Sequence, residues 1–441
     1  MEIEKATRRQ FLTTATVAGA PMVVPAHVLG RGGSVAPSDR VTAGFIGIGR
    51  RAFTWPNAKV MRSAVGMPAC RVLAVCDVDR NKRDAGKEFV DQAYGNKDCT
   101  AYRDFREMLA RKDIQAVFVT TPHHWHAIMA IMGLEAGKDV YVEKPISKTV
   151  RESIALVQAA RRHPKQIIQA GTQARTSRLQ NWAIKQIQAG AIGDVKQVST
   201  GFWGPPRRVE VTAEPVPEWL DWELYVGPAP MCPYSSKVMS GRWELSGGSM
   251  TDWGQHMMDV AQWGLGMDST GPVDVFPPDG KDHEFLTLRY ANGAEVKIHA
   301  KDGKRLSEGT TFTGSKGKIF LHPWNDDAGF EPFEIGAPYY KETNQKQPES
   351  LWGETYREPE HPWNNALSDL HLANFLECCR TRKPPSTSME SSHRSIILCH
   401  LANIVTWTAR PLKWDPAKYT FVNDREADGY LHVPPREPWK V

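Results

Sequence analysis

This chain of 441 residues contains no C-x-x-C pair, no basic block, no internal repeat and no true low-complexity tract. Its seven cysteines, Cys70, Cys76, Cys99, Cys232, Cys378, Cys379 and Cys399, are odd in number and scattered. That pattern argues against a disulfide framework or a structural zinc site. The 55 basic and 50 acidic residues are spread along the chain, for a net charge of +5. No electrostatic case for nucleic acid or a membrane surface follows from such a distribution. Beyond the N-terminal segment no run of about 18 apolar residues occurs, so no stable membrane insertion is expected and the mature chain should be soluble. What the chain does have is length beyond one ordinary core, which implies two domains. A hydrophobic share of 41% and a charged share of 24% give an ordinary globular balance. Its 15 tryptophans are many; tryptophan faces serve sugar sites and also fill cores.

Residues 7–13 read TRRQFLT and lead into the mildly apolar FLTTATVAGAPMVVPAHVLG. Paired arginines before a short, weak apolar stretch look like a twin-arginine export signal. Pro21 and Pro25 interrupt the stretch, and it is too short for a stable transmembrane helix. The alternative is a basic, disordered start to a cytosolic protein. Export through the twin-arginine machinery, with cleavage near Ala26, would place the mature chain in the periplasm. That route carries folded proteins, often with a cofactor already bound, so a cofactor-bearing domain is expected to follow.

The segment VTAGFIGIGRRA, 41–52, is a β-rich run ending in Gly47-x-Gly49-x-x-Ala52, with Arg50 and Arg51 inside the loop. This is a G-x-G-x-x-A variant of the dinucleotide fingerprint: a tight turn, a close backbone approach to pyrophosphate, and a small residue where helix meets strand. The amides at the helix start would hold the pyrophosphate. A second strand, RVLAVCDVD, delivers Asp77 about 25 residues later. An acid there suits a ribose diol and repels a 2′-phosphate, so NAD is expected; Arg80 nearby leaves NADP open. Two more short apolar strands, QAVFVTTP and DVYVEKP, flank the helix HAIMAIMGLEAG, which Gly137 closes. Strand and helix alternate, which predicts a parallel, doubly wound sheet. Ligands bind beyond the C-terminal strand ends, where Pro122, His123, His126, Glu143 and Lys144 fall.

Further on, TDWGQHMMD places Asp252, His256 and Asp259 on one helical face. Three explanations compete: a solvated face, a metal site drawing on PHHWH, or proton transfer. No metal is expected, because PHHWH sits where a nicotinamide would be lined. The opposite side, Trp253, Met257, Val260, Ala261 and Gly264, is expected to pack on a sheet. Gly247 and Gly248 let backbone approach a ligand.

GIGRRA, TTPHHWHA, EAGKDVYVEKP and GGSMTDWGQHMMDVAQWGLG occur in that order. Together they resemble the Gfo/Idh/MocA family, which includes glucose–fructose oxidoreductase and inositol dehydrogenase, over residues from about 40 to about 410. The resemblance implies a Rossmann domain followed by an α/β domain on a largely antiparallel open sheet. The open face would serve a homodimer or tetramer. We divide the chain into a signal and linker (1–38), an NAD-binding domain (39–163) and a substrate and oligomerisation domain (164–441). The resemblance further implies Lys144 between nicotinamide and substrate hydroxyl, His256 as proton acceptor, and Asp252 as its companion. Trp253 beside Asp252 and the Pro- and Trp-rich inserts depart from the pattern and leave the substrate's identity open.

Hydride transfer from a carbinol needs a proton to leave the hydroxyl; a neutral imidazole can take it and an ammonium can stabilise the alkoxide. Other positions are weaker. Gln173 could reach the cofactor and Arg175 the sugar, although both also suit a surface turn. Trp203 and Trp243 could stack on a sugar or fill core. Glu143 would fix Lys144 and the local backbone. The segment SDLHLANFLECCRTRKPPSTSMESSHRSIILCHLANI reads as two amphipathic helices about a Pro-Pro turn, and residues 340–365 as a surface loop. The expectation is an exported, NAD-dependent oxidoreductase acting on a sugar, glycoside or polyol carbinol, with its cofactor retained and recycled. One rival is a glycoside-cleaving enzyme working through a transient 3-keto sugar. The other is a non-catalytic sugar- or NAD-binding protein of the envelope.

Overall fold

The β-branched runs read from the sequence become the parallel strands of one six-stranded sheet in the computed structural model, which describes residues 35–54, 60–202, 204–206, 208–237, 241–301, 304–305, 309–321, 328–332, 340–342 and 366–440. The export segment and Trp203 lie outside those residues, as does all of the expected surface loop except 340–342. By contact the chain divides into a segment ending at Arg40, whose described part is a 3₁₀ turn at Pro37–Asp39, and a unit from Val41 onward.

The strands are β1 (Val41–Ile46), β2 (Cys70–Cys76), β3 (Thr100–Tyr102), β4 (Ala116–Val119), β5 (Asp139–Val142) and β6 (Ile168–Ala170). Their order is β3-β2-β1-β4-β5-β6, every pair parallel. β4 and β5 are buried at every position, as expected of strands covered on both faces. The order reverses beside β1, so the crevice at the C-terminal ends of β1 and β4 is where a ligand binds such a sheet. Local chemistry sets the helix ends. Asp79 caps helix Arg80–Tyr94 by accepting from the amides of Asn81 and Lys82, and Gly95 closes it in the left-handed conformation. Thr149 and Glu152 form a capping box at helix Val150–Arg162. The helix expected at 126–137 runs over His123–Glu135.

The second sheet uses β7 (Val195–Thr200), β8 (Asp274–Phe276), β9 (Leu286–Arg289), β10 (Glu295–Ile298), β11 (Ala300–Lys301), β12 (Lys304–Arg305), β13 (Thr310–Gly314), β14 (Gly317–Leu321), β15 (Ala328–Pro332), β16 (Tyr340–Glu342), β17 (Leu412–Asp415) and β18 (Thr420–Phe421). β11 and β12 pair separately; the other ten form one sheet. Within it only β7 and β10 run parallel. The fold is thus α/β, with a Rossmann sheet followed by a mixed, largely antiparallel one.

Two helices depart from the amphipathic reading. Met389–Thr408 is buried on nearly all sides, from Met389 to Val405, because it packs between the two sheets' helices at Gly254–Gly264 and Val150–Arg162. Ala366–Thr381 returns to the first sheet. Its Phe375 meets Phe118 and Tyr141 edge-on, and Leu372, Leu376, Cys378 and Cys379 join the core around β1. All seven cysteines are buried free thiols. Among the described residues no helix is long and apolar enough to cross a membrane.

Candidate active site

The C-terminal ends of four parallel strands deliver the site. β1 hands over to Gly47, β2 to Asp77, β4 to Thr120–His123, and β5 to Glu143 and Lys144. Gly47 takes φ +89°, and a Cβ there would lie 2.8 Å from the Thr121 amide nitrogen, so any other residue would be strained and would collide. Thr120 fixes this turn through its hydroxyl, which donates to the Gly47 carbonyl at 2.6 Å. Asp77 accepts from the Ile48 amide at 2.7 Å and the Asp79 amide at 2.8 Å. The Ala52 side is fully buried against the core.

A cleft of about 500 Å³ opens over these turns, lined by Gly47, Gly49, Arg50, Arg51, Asp77 and Pro122 among others. That volume lies in the range of small-molecule sites. Nothing stands within 4 Å of the position a Cβ would take at Gly49, so the backbone there is open to a ligand. Glycine turns, an acid at the end of β2 and an order reversal beside β1 fit a dinucleotide.

The far wall comes from the second domain. Trp219 accepts from the Arg80 amide at 2.9 Å, Leu220 bridges Asp79, and the Asp221 amide donates to the Val78 carbonyl at 3.1 Å. Asp221 also caps helix Trp222–Val226 and lies 3.4 Å from Arg103. Tyr225 lines the cleft, and its carbonyl accepts from the Trp125 indole at 2.9 Å. Residues 219–225 therefore form a strap tied to the end of β2 and to helix His123–Glu135.

At the inner end, the Lys144 ammonium donates to Asp252 Oδ1 at 2.5 Å and to the Asp252 carbonyl at 3.1 Å. Asp252 and Trp253 line the cleft. Burial pushes the Asp252 carboxyl up, but Lys144 and His123 outweigh it and hold it below the ordinary range. His123 lies 3.7 Å from Asp252 Oδ1 and 3.1 Å from the Ser246 hydroxyl. Its pKa falls to about 3, chiefly through burial, against the pull of Asp252. His256, 8% exposed, sits one turn beyond Asp252. Burial, then the charges of Lys144 and Arg51, hold it well below its ordinary value, so it is neutral at pH 7. The helix is interrupted at Trp253, separating Gly248–Asp252 from Gly254–Gly264. Trp253 faces the cleft, whereas Met257, Val260 and Ala261 are buried as expected. A Cβ on Gly264 would lie 2.3 Å from the Phe312 ring of β13, which is how closely this helix lies on the sheet.

Several expected ligand contacts prove to be supports. Glu143, 2% exposed, does not face the cleft; it accepts from Arg51 at 2.7 Å and from the Tyr141 hydroxyl at 3.3 Å. Gln173 is buried and donates to that same hydroxyl at 3.3 Å. His126 is buried, with both ring nitrogens 2.7 Å from main-chain carbonyls of Pro145 and Thr121. A neutral ring can donate to only one of them, and burial, the larger effect, disfavours the charged form. Arg175 is 7% exposed and meets Asp259 and Asp268 at 2.8 Å each, so neither Arg175 nor Asp259 faces a ligand. Trp243 lines a different cavity, with Lys148 and Arg208 over its ring.

Sequence reasoning did not find Thr120, Lys82, Tyr225, Ser246 or Trp253 as cleft residues. For Thr120 a signal existed, since it follows β4 directly. Nothing local marks the strap, whose partners lie in a distant strand turn.

Comparison with known proteins agrees with this geometry. The GFO_IDH_MocA profile, described as an oxidoreductase family with an NAD-binding Rossmann fold, matches residues 41–171. Its C-terminal alpha/beta domain profile matches residues 176–328 and 365–441. A glycosyl hydrolase family 109 protein of Shewanella sp. (strain ANA-3) is 33% identical over 167 residues, 35% of this chain and 34% of that protein. The chain thus spans about a third of the length of that curated relative. Among solved structures, aldose-aldose oxidoreductase from Caulobacter crescentus, complexed with glycerol, superposes with TM-score 0.58 at 19% identity, over 85% of this chain and 99% of that one. Myo-inositol 2-dehydrogenase from Lactobacillus plantarum superposes with TM-score 0.57 at 18% identity, over the same shares. At those identities the likeness is one of fold.

Proposed function

Because the chain belongs to the Gfo/Idh/MocA oxidoreductase family, with an NAD-binding Rossmann domain, we propose that it oxidises a carbinol of a sugar, glycoside or polyol. The observation that carries this reading is the Lys144–Asp252 pair at the inner end of the cleft that begins at Gly47 and Gly49. Gly47, Gly49 and Asp77 would hold the dinucleotide, with Asp77 favouring the ribose diol of NAD. Bound NAD supplies the hydride acceptor. Lys144 places its ammonium where a substrate oxygen gains negative charge, and Asp252 aims it. His256, kept neutral, takes the hydroxyl proton. Lys144 and Arg51 oppose its charged form, so it releases that proton readily. Glu143 holds Arg51 and donates nothing to the chemistry. The sugar or polyol substrate is supported by what the solved neighbours act on, an aldose in one and myo-inositol in the other.

The strap supports a retained cofactor. Its residues Leu224 and Tyr225 line the cleft, and the main-chain contacts of Trp219 and Asp221 tie that wall to the end of β2. Retention suits the export reading, since free NAD is not expected outside the cytoplasm. Seven buried free thiols are also what a chain folded in a reducing compartment and exported folded would contain. We place the mature enzyme in the periplasm as a homo-oligomer, associating through its open sheet.

The glycoside-cleaving reading is favoured by the match to a glycosyl hydrolase family 109 protein. A ring ketone acidifies the neighbouring C–H, the aglycone leaves by elimination, water adds, and the ketone is reduced again. Both chemistries use the same first step. The test incubates the purified enzyme with a panel of sugars, polyols and chromogenic glycosides, following nicotinamide reduction and aglycone release in parallel. Reduction without aglycone release supports the redox reading, and aglycone release supports the cleaving one. A protein that binds NAD yet does neither across the panel supports the binding-protein rival.

A further inference from the structure

A second cavity, about 280 Å³, lies across the segment Ser246–Gly248 from the cofactor cleft. Lys148, Trp243, His400, Asn403, Trp407 and Tyr430 line it. Ser246 is common to both, and its hydroxyl meets His123 and accepts from the Gly248 amide. Nothing in the proposed reaction uses this cavity.

Its chemistry is specific. Asn403 is 2% exposed; its amide nitrogen donates to the Gly247 carbonyl at 2.9 Å, which fixes the orientation, and its Oδ1 has no hydrogen-bond partner. A buried acceptor left open in this way is costly unless a ligand or water meets it. His400 is buried, with Nε2 3.1 Å from the Ser147 hydroxyl. The Lys148 ammonium stands 5.0 Å from the Trp243 ring centroid. Burial lowers its pKa against the pull of Glu152 and Glu244. Glu152 is already engaged with the amides of Lys148 and Thr149. Trp407 and Tyr430 also line the cavity, their ring centroids 5.6 Å apart and the rings tilted to one another. The Arg151 amide, donating to Leu431 at 3.1 Å, holds the C-terminal segment against the cavity.

Flat aromatic faces beside fixed hydrogen-bonding groups suit a pyranose ring. An under-compensated ammonium suits a carboxylate on that ring. We propose that this cavity is a binding site for a carboxylate-bearing sugar unit, the carboxylate on Lys148 and the ring against the aromatic side chains that line the cavity. The site stands on these residues and not on the redox reading above.

The test is titration calorimetry on the full-length purified protein with glucuronate, glucose and sulfate. Lys148→Met and Tyr430→Ala are compared at matched thermal stability. Glucuronate should bind more tightly than glucose by about tenfold or more, as one charge-assisted contact implies. Lys148→Met should erase that preference. Tyr430→Ala, at the exposed rim, should weaken glucuronate severalfold without altering nucleotide content. Equal binding of glucose and glucuronate, sulfate binding as tight as glucuronate, or no binding at all would overturn the proposal. Because binding is read directly, a failure here is separable from a failure of turnover.

Discussion

The ammonium of Lys144 lies 2.5 Å from the carboxylate of Asp252, although 108 residues separate them. One comes from the turn after β5 and the other from the helix Gly248–Asp252 of the second domain. The contact therefore joins the two halves of the molecule at the place where the cleft ends.

Lys144→Met removes the charge that, in the proposed reaction, would stabilise a developing alkoxide, while keeping the side chain's length. Turnover should fall by about 10²–10⁴-fold, with nucleotide content unchanged. Asp252→Asn should cost less, because the amide can still accept from the ammonium. Turnover and released nucleotide, measured on the same preparations, check both.

Arg175→Leu tests a structural role. It leaves the fully buried Asp259 without its 2.8 Å partner, a loss of about 3–5 kcal/mol. Chemical denaturation should show that loss. A variant of normal stability with a raised KM would return Arg175 to the substrate site.

Acid should destabilise the fold through its histidines. His371 is lowered to about 4, and His393 and His400 to about 3, all chiefly by burial. Above the unfolded value near 6.5 both states are neutral and nothing is lost. Below it the unfolded chain takes protons that the folded chain refuses. Each such histidine then costs up to about 1.4 kcal/mol per pH unit. The Tm should fall from pH 7 to pH 5; a flat profile would show that these rings are charged in the fold.

Asp77→Ser should shift cofactor preference toward NADP, by removing the carboxylate that would repel a 2′-phosphate. Because Asp77 also holds the Ile48 and Asp79 amides, affinity for NAD should drop as well. The ratio of the two Kd values is the readout.

The fold was legible where its signals are local. The glycine turn, the apolar strand runs and the helix stop at Gly137 each follow from a few consecutive residues. Lys144, Asp252 and His256 came from a pattern of spacing and from the family resemblance, and the structure brings the first two into contact. What stayed hidden depends on distant partners. Arg175 meets acids 84 and 93 residues away. Glu143 and Gln173 converge on one tyrosine hydroxyl inside the protein. Ala366–Thr381 looks like part of the second domain, and only tertiary packing shows that it covers the first. A polar side chain at a strand end reads the same whether it turns to the ligand or to its neighbour.

The most direct test of the account is to denature purified, desalted protein and identify the released dinucleotide by absorbance and mass. The account predicts NAD or NADH near one per chain, held in the cleft that Leu224 and Tyr225 of the strap help to line. Asp221→Ala, which removes that strap's helix cap, should lower the amount. An empty protein that binds added NAD only weakly would contradict the retained cofactor and, with it, the closed catalytic cycle.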